Sequence, residues 1–433
     1  VKRPVSACLV VLVMLLALTK PASALTLGEG LAIVIEDGYD VRIAGERERA
    51  GDAGAREARG ALMPTLDAYA SSTWLAWQPE SSPLPDMTIP LSEKDYYSFG
   101  VTGKYVLYDF GHARGAYRAA LFGADAASLD ASAARNAAAR EFIVAYIDYL
   151  EAGRLVTVTE SEALTFEAHK ADMDALFAEG LATKNDVLEA EVAQAEARLR
   201  VLAATDARAV RAAALNTLLR RPIATPVEIV DPEIPRPSLP ELAEAERAAI
   251  EARPELRAFD ARLDAREQEL GAARASLLPS LYAAGGYEYK ENRYMVHEDN
   301  WSLTLGATVN LFAGGASAAS IAKKAAEVSA LAYERDRQRD AVLLALRAAW
   351  LDVGSGGERV NVARVALDRA EENVRVHRIR LEEGDETPTG LRDALSLLSR
   401  AETSYWSSLF ALYRTEALYL HASGRDLAEV YGR

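Results

Sequence analysis

The 433-residue sequence holds one cysteine, Cys8, and five histidines, at positions 112, 169, 297, 377 and 421. No His-x-x-x-His and no Cys-x-x-Cys occurs, so zinc, iron–sulfur and thiol chemistry have little material to work with. Positive charge is short as well: 49 Lys and Arg stand against 64 Asp and Glu, a formal charge of −15. A nucleic-acid binder needs a basic face to neutralise phosphates, so no nucleic-acid partner is expected. Beyond the first two dozen residues no segment approaches the roughly 18 uninterrupted apolar residues of a membrane helix. If this chain enters a membrane, it must do so as a β-barrel, the other structure that satisfies its own backbone in lipid. No nucleophile–base pair can be proposed either. The expectation is a protein that is not an enzyme and carries no cofactor or metal.

Residues 1–24 read as a secretory signal. Lys2 and Arg3 form a basic start, Val5–Leu18 an apolar stretch, and Ala22-Ser23-Ala24 a small-residue cleavage site. About 14 apolar residues fall short of the ~20 that span a bilayer. Cleavage would remove Cys8, and the loss of Lys2, Arg3 and Lys20 would take the formal charge from −15 to −18.

The chain contains itself twice. Leu62-Met63-Pro64-Thr65-Leu66 recurs as Leu277-Leu278-Pro279-Ser280-Leu281, at an offset of 215. Leu107-Tyr108 with Gly111 recurs as Leu311-Phe312 with Gly315, and Gly180 with Thr183 recurs as Gly384 with Thr387, both at 204. One loop between residues 66 and 99 is therefore about 11 residues longer than its counterpart. The first repeat covers 25–220 and the second 241–433. Between them lies a connector, 221–240, whose six prolines forbid helix.

Each repeat reads as a helix, two short alternating segments, a very long helix, a glycine turn and a returning helix. The first helices are expected at 39–62 and 254–278, with Pro254 in a first-turn position that tolerates proline. The long helices are expected at 112–179 and 316–383, roughly 100 Å each. Both are rich in Ala, Leu, Glu and Arg, and a shared weak point at Gly153 and Gly354–Gly357 suggests a bend. The returning helices are expected at 183–219 and 388–423. In the first of these Leu188, Val192, Ala195, Leu199 and Leu202 step by 4 and 3, the spacing of a coiled-coil seam.

The four alternating segments lie near 65–75, 98–108, 280–290 and 300–311. Trp301, Leu303, Leu305, Ala307, Val309 and Leu311 alternate with Ser302, Thr304, Gly306, Thr308 and Asn310. Phe99, Val101, Gly103, Tyr105 and Leu107 alternate with small or polar residues in the same way. Membrane strands run 9–11 residues with this apolar-out, polar-in pattern; a soluble sandwich facing a core shows it too. Trp74, Phe99, Tyr105, Tyr287, Trp301 and Leu303 are the candidate lipid-facing and girdle residues. Lys104, Ser302, Thr304, Thr308 and Asn310 are the candidate lumen residues. Four strands cannot close a barrel, so several chains must contribute.

The paired Leu-x-Pro-[Thr/Ser]-Leu elements and the Leu-[Tyr/Phe]-x-x-Gly strand exits are duplicated at fixed offsets. With Arg253-Pro254-Glu255-Leu256 and the Gly180…Asp186-Val187-Leu188-Glu189-Ala190 turn, they make the sequence resemble the TolC-like outer membrane efflux protein family. The resemblance implies a mainly α fold with a small β part, a duplicated unit of long coiled-coil-like helices and two β-hairpins. It further implies a homotrimer, with a twelve-stranded barrel continued by a periplasmic helical barrel. Location would be the outer membrane, extending into the periplasm. Function would be the exit duct of a tripartite efflux or type I secretion system for small molecules or polypeptides, with a periplasmic adaptor and an inner-membrane pump as partners. The alternative is a soluble periplasmic coiled-coil scaffold or adaptor, without an aromatic band on its strands.

No catalytic constellation competes with the helix turns as the place of function. Similar proteins narrow the periplasmic entrance with acidic side chains. Asp186 and Glu189 match such positions in the first repeat and Asp393 in the second, with Glu386 nearby, while Gly390 stands where a partner acid would be. The competing reading is that these acids only favour exposed helix N-termini through the dipole. Gly180, Leu181, Thr183, Gly384 and Thr387 set the turns and are the candidate adaptor-docking residues.

Overall fold

The computed structural model describes residues 24–232, 234–383 and 388–432. The segment read as a signal lies outside the described residues but for Ala24, and so do Gly384, Glu386 and Thr387. The chain divides into two compact units: a helical unit of the residues up to Gly45, Ala131–Pro254 and Gln338 onward, and a sheet unit of Glu46–Asp130 and Glu255–Arg337.

In the sheet unit four antiparallel strands follow the order β1 (Thr65–Trp74), β4 (Asp95–Tyr108), β5 (Ser280–Lys290), β6 (Asp299–Thr308). Each repeat contributes one hairpin, and the two hairpins join at β4 and β5, paired from Ser98↔Lys290 to Tyr108↔Leu281 across a bulge after Val106. A second, small hairpin, β2 (Glu80–Leu84) with β3 (Met87–Pro90), occupies the longer loop of the first repeat. It was not expected from the sequence. The last strand is shorter than the expected 300–311. Ser280 begins β5 and pairs with Thr308, so residues 309–311 have no neighbour to bond and leave the sheet.

Helix α2 (Tyr39–Gly60) and helix α6 (Pro254–Ala275) lead into β1 and β5. Both stop short of the expected 62 and 278. Residues before Pro64 and Pro279 are pushed out of helical geometry, and 276–278 form a turn closed by Leu278 N–H to Ala275 O at 2.9 Å. The long helices are α3 (His112–Ala178) and α7 (Ala316–Glu383), each helical without a break across its glycines. Within the sheet unit α6 is bound to both. Lys324 donates to Glu269 at 2.8 Å and Arg335 to Asp260 at 2.8 Å, while His112 Nδ1 lies 2.9 Å from Ala272 O.

The helical unit is built from the rest of α3 and α7 with the returning helices α4 (Lys184–Leu218) and α8 (Pro388–Ala422). Its main core gathers Phe142, Ile143, Tyr146 and Ile147 of α3, Leu215 of α4 and Phe410 of α8. Three short helices escaped the sequence reading: α1 (Leu27–Asp37), α5 (Leu242–Ala252) and α9 (Leu427–Tyr431). The first is fixed by a capping box, Thr26 with Glu29, and lays Leu27, Leu31 and Val34 into the core. The proline-rich connector passes over α3, where Tyr146 donates to Val230 O at 2.6 Å and Tyr149 to Val227 O at 2.7 Å.

The expected heptad stripe of α4 is not the seam within the chain. Val187, Ala190 and Ala197 are buried instead, and Leu188, Val192, Leu199 and Leu202 are 47–64 % exposed. Alanine lets neighbouring helices approach closely, and the repeat equivalents of Ala190 and Ala197, Ala394 and Ala401 of α8, are buried too. The leucines are left facing out of the protomer.

Candidate functional site

At the end of α3 the chain reverses through a Schellman turn. Gly180 takes φ +76, a left-handed conformation that costs side-chain-bearing residues energy. Its N–H bonds Phe177 O at 3.0 Å and that of Leu181 bonds Leu176 O at 2.8 Å, satisfying carbonyls that a helix end leaves open. Leu181 is 71 % exposed. Thr183 then caps α4. Its hydroxyl accepts from Asp186 N–H at 3.3 Å, and the Asp186 carboxylate accepts from Thr183 N–H at 2.7 Å. The Thr183 hydroxyl, followed by its N–H, holds the Asp186 carboxyl below the usual carboxylate range. Asp186 thus completes the cap of α4.

Glu189 and Asp393 do something else. Arg392 of α8 donates to Glu189 Oε2 at 2.7 Å, across to α4, and to Asp393 Oδ1 from Nη2 at 3.0 Å. Asn185 adds a bond to the other Glu189 oxygen at 2.9 Å. Glu189 and Asp393 are repeat equivalents, so one guanidinium holds the same acid from both repeats. Their side chains are 39 % and 69 % exposed. Sequence reasoning missed Arg392, whose equivalent in the first repeat is Leu188. Behind it on α3, His169 is 5 % exposed with Nδ1 unpartnered, and burial holds its imidazole below the ordinary value. A groove of about 840 Å³ opens beside the network, walled by Leu188 and Val192 of α4 and by Ser396, Ser399 and Thr403 of α8. Deeper in, Glu162 takes two bonds from Arg200 at 2.9 and 3.0 Å.

In the sheet unit the register sorts side chains onto two faces. Directly opposed residues share a face. Tyr287↔Trp301, Val101↔Tyr287, Phe99↔Tyr289 and Gly285↔Leu303 therefore put Phe99, Tyr287, Trp301 and Leu303 on one side, with Trp74 and Tyr105. Phe99 stacks on Tyr289 with ring centroids 4.9 Å apart. Trp74, Trp301, Leu303 and Leu305 are 68–76 % exposed, so no core covers this face. Lys104↔Ala284↔Thr304 and Gly286↔Ser302 put Lys104, Ser302, Thr304 and Thr308 on the other side. Asn310 lies beyond the strand and belongs to neither face. The sequence reading also missed the tyrosines of the polar face. Tyr282 lies over Gly306, where any Cβ would come within 2.6 Å of its ring, and under Lys104 Nζ, 5.6 Å from the ring centroid.

Among the described residues no helix is long and apolar enough to cross a membrane, and no group of three or more His, Cys, Asp or Glu could hold a metal. A sheet with one bare apolar face and one polar face, in a chain otherwise made of long helical hairpins, has the pattern of outer-membrane strands and points to the class of outer-membrane proteins. The chain belongs to the outer membrane efflux protein family, whose model matches residues 35–219 and 247–410, one block in each repeat. The family is one of transport proteins of the outer membrane. No curated protein matches in sequence. The fold is shared with several solved channels. VceC from Vibrio cholerae superposes with TM-score 0.82 at 17 % identity over 93 % of this chain and 96 % of that one. The outer-membrane channel OprN gives 0.82 at 20 % identity over 93 % and 90 %. The open state of MtrE from Neisseria gonorrhoeae gives 0.76 at 20 % over 93 % and 89 %.

Proposed function

We propose that the chain is the exit duct of a tripartite efflux or type I secretion system, passing small molecules or polypeptides from an inner-membrane pump to the exterior. The observation that carries this reading is the two-faced sheet with unpaired edges at β1 and β6. An exposed edge seeks another strand, and an exposed apolar face seeks lipid. Three copies, each adding four strands, satisfy both in a twelve-stranded barrel, with Lys104, Ser302, Thr304 and Thr308 facing the lumen. The bare Leu188–Leu202 stripe of α4 supports association of copies along the helices as well.

The turn at Gly180, Leu181 and Thr183, with the repeat-equivalent residues Gly384 and Thr387, is the docking point for a periplasmic adaptor. Glu189 and Asp393 line the entrance, with Arg392 fastening them together. Three copies of this cluster around one axis set a local field that acts on passing cations. Detergent extraction of the outer membrane followed by mass measurement tests the reading. A complex of three chains that conducts in planar bilayers is expected, and a soluble periplasmic monomer would sink it.

A further inference from the structure

The main core of the helical unit encloses a carboxyl group that the duct does not use. Glu416 of α8 is 4 % exposed, and its Oε2 has no hydrogen-bond partner. Along the same helix Phe410, Ala417 and Leu420 belong to the buried apolar cluster. A second orphaned polar atom, the Tyr431 hydroxyl, comes from α9. Tyr431 is 5 % exposed, and the Glu416 charge acts on it. From the connector, the exposed Arg236 is the cation whose charge reaches Glu416. Tyr413, on α8 itself, feels Arg236, Glu416 and Asp231.

A carboxylate enclosed in this way lacks the partners that would offset its desolvation. Burial therefore pushes the Glu416 carboxyl up to about 7, with Arg236 drawing it part of the way back. The piece of structure that could move away is small. Helix α9 has five residues, is capped by Asp426 and packs against α1, so its opening needs no global unfolding.

We propose that Glu416 makes the seating of α9 a pH-dependent fastening, closed while the carboxyl keeps its proton and loosened when the proton is lost. The direction follows from linkage. With α9 seated the carboxyl holds its proton up to about 7; with α9 released it is hydrated and ionises near ~4.3. The released form binds fewer protons, so rising pH favours release, and the fastening fades as pH passes through about 7.

Hydrogen exchange of the α9 amides in the solubilised full-length assembly tests this, with wild type and Glu416→Gln compared at the same pH so that intrinsic rates cancel. The ratio of wild-type to variant exchange is expected to rise about tenfold between pH 6 and pH 8. An unchanged ratio would overturn the proposal. Infrared titration of the wild type gives a second reading should the variant not assemble. A protonated-carboxyl stretch that vanishes near pH 7 supports the fastening, and no such band from pH 6 upward overturns it.

Discussion

Near the start of α4 and α8, one guanidinium engages two carboxylates at equivalent positions of the two repeats. Arg392 joins Glu189 on the neighbouring helix to Asp393 beside it, and all three side chains are partly open to solvent. Exposed pairs of this kind stabilise by under about 1 kcal/mol, so their removal should leave the fold intact. Arg392→Ala should then free two acids per chain and raise cation conductance in planar bilayers, while Asp393→Ala should lower it or relieve cation block. Unchanged conductance in both variants would reject the entrance assignment. The Thr183–Asp186 cap gives a separate expectation. Thr183→Ala should destabilise the first turn of α4 by about 1 kcal/mol and speed its amide exchange. Because Asp186 titrates below its ordinary range, the cap is complete above that range and lost as pH falls, so the variant should differ least from wild type in acid. Gly180 and Thr183 were legible in the sequence because turn and cap chemistry is local. Arg392 was not, since its partner stands 203 positions away and nothing in the repeat points to it.

At the scale of elements, the sheet offers a direct test of its two faces. Leu303 and Thr304 are neighbours in β6 that the register sends to opposite sides. Leu303→Arg should disfavour membrane insertion by roughly 2–4 kcal/mol near the bilayer midplane, read as loss of assembled protein in the outer membrane. Thr304→Arg should assemble and alter ion selectivity instead. Equal tolerance at both positions would contradict the lipid and lumen assignments. The alternation around Trp301 was visible in the sequence because a strand's side-chain period is fixed at two. Its end was not visible, because a strand stops where its partner stops, and Ser280 settles that from the far side of the sheet. The α4 heptad shows the same limit. Spacing revealed a seam-forming stripe, while the choice between a partner inside the protomer and one outside it depended on buried alanines. Helix α1 and helix α5 were missed for their length: each has 11 residues, too few to display a convincing period.

For the whole molecule, duplication explains why a chain of this length has one repeated architecture rather than three domains, and the near-zero mean hydropathy suits a mostly helical chain with a single four-stranded sheet. The two repeats nevertheless differ at the loops joining each hairpin. The first carries β2 and β3, and it is clasped to the second where Glu93 takes two bonds from Arg293 at 2.7 and 3.0 Å and Asn292 donates to Leu91 O at 3.0 Å. Deleting residues 80–90 spares every one of those contacts, so the shortened protein should still form the proposed conducting trimer, as judged by mass and bilayer recording. In the proposed trimer, three chains of two similar halves would approach sixfold symmetry, and this hairpin would break it. A phage or antibody reading the loop end of that proposed barrel would meet alternating long and short loops. It would saturate at three copies per assembly, and a ligand that ignores the hairpin could reach six.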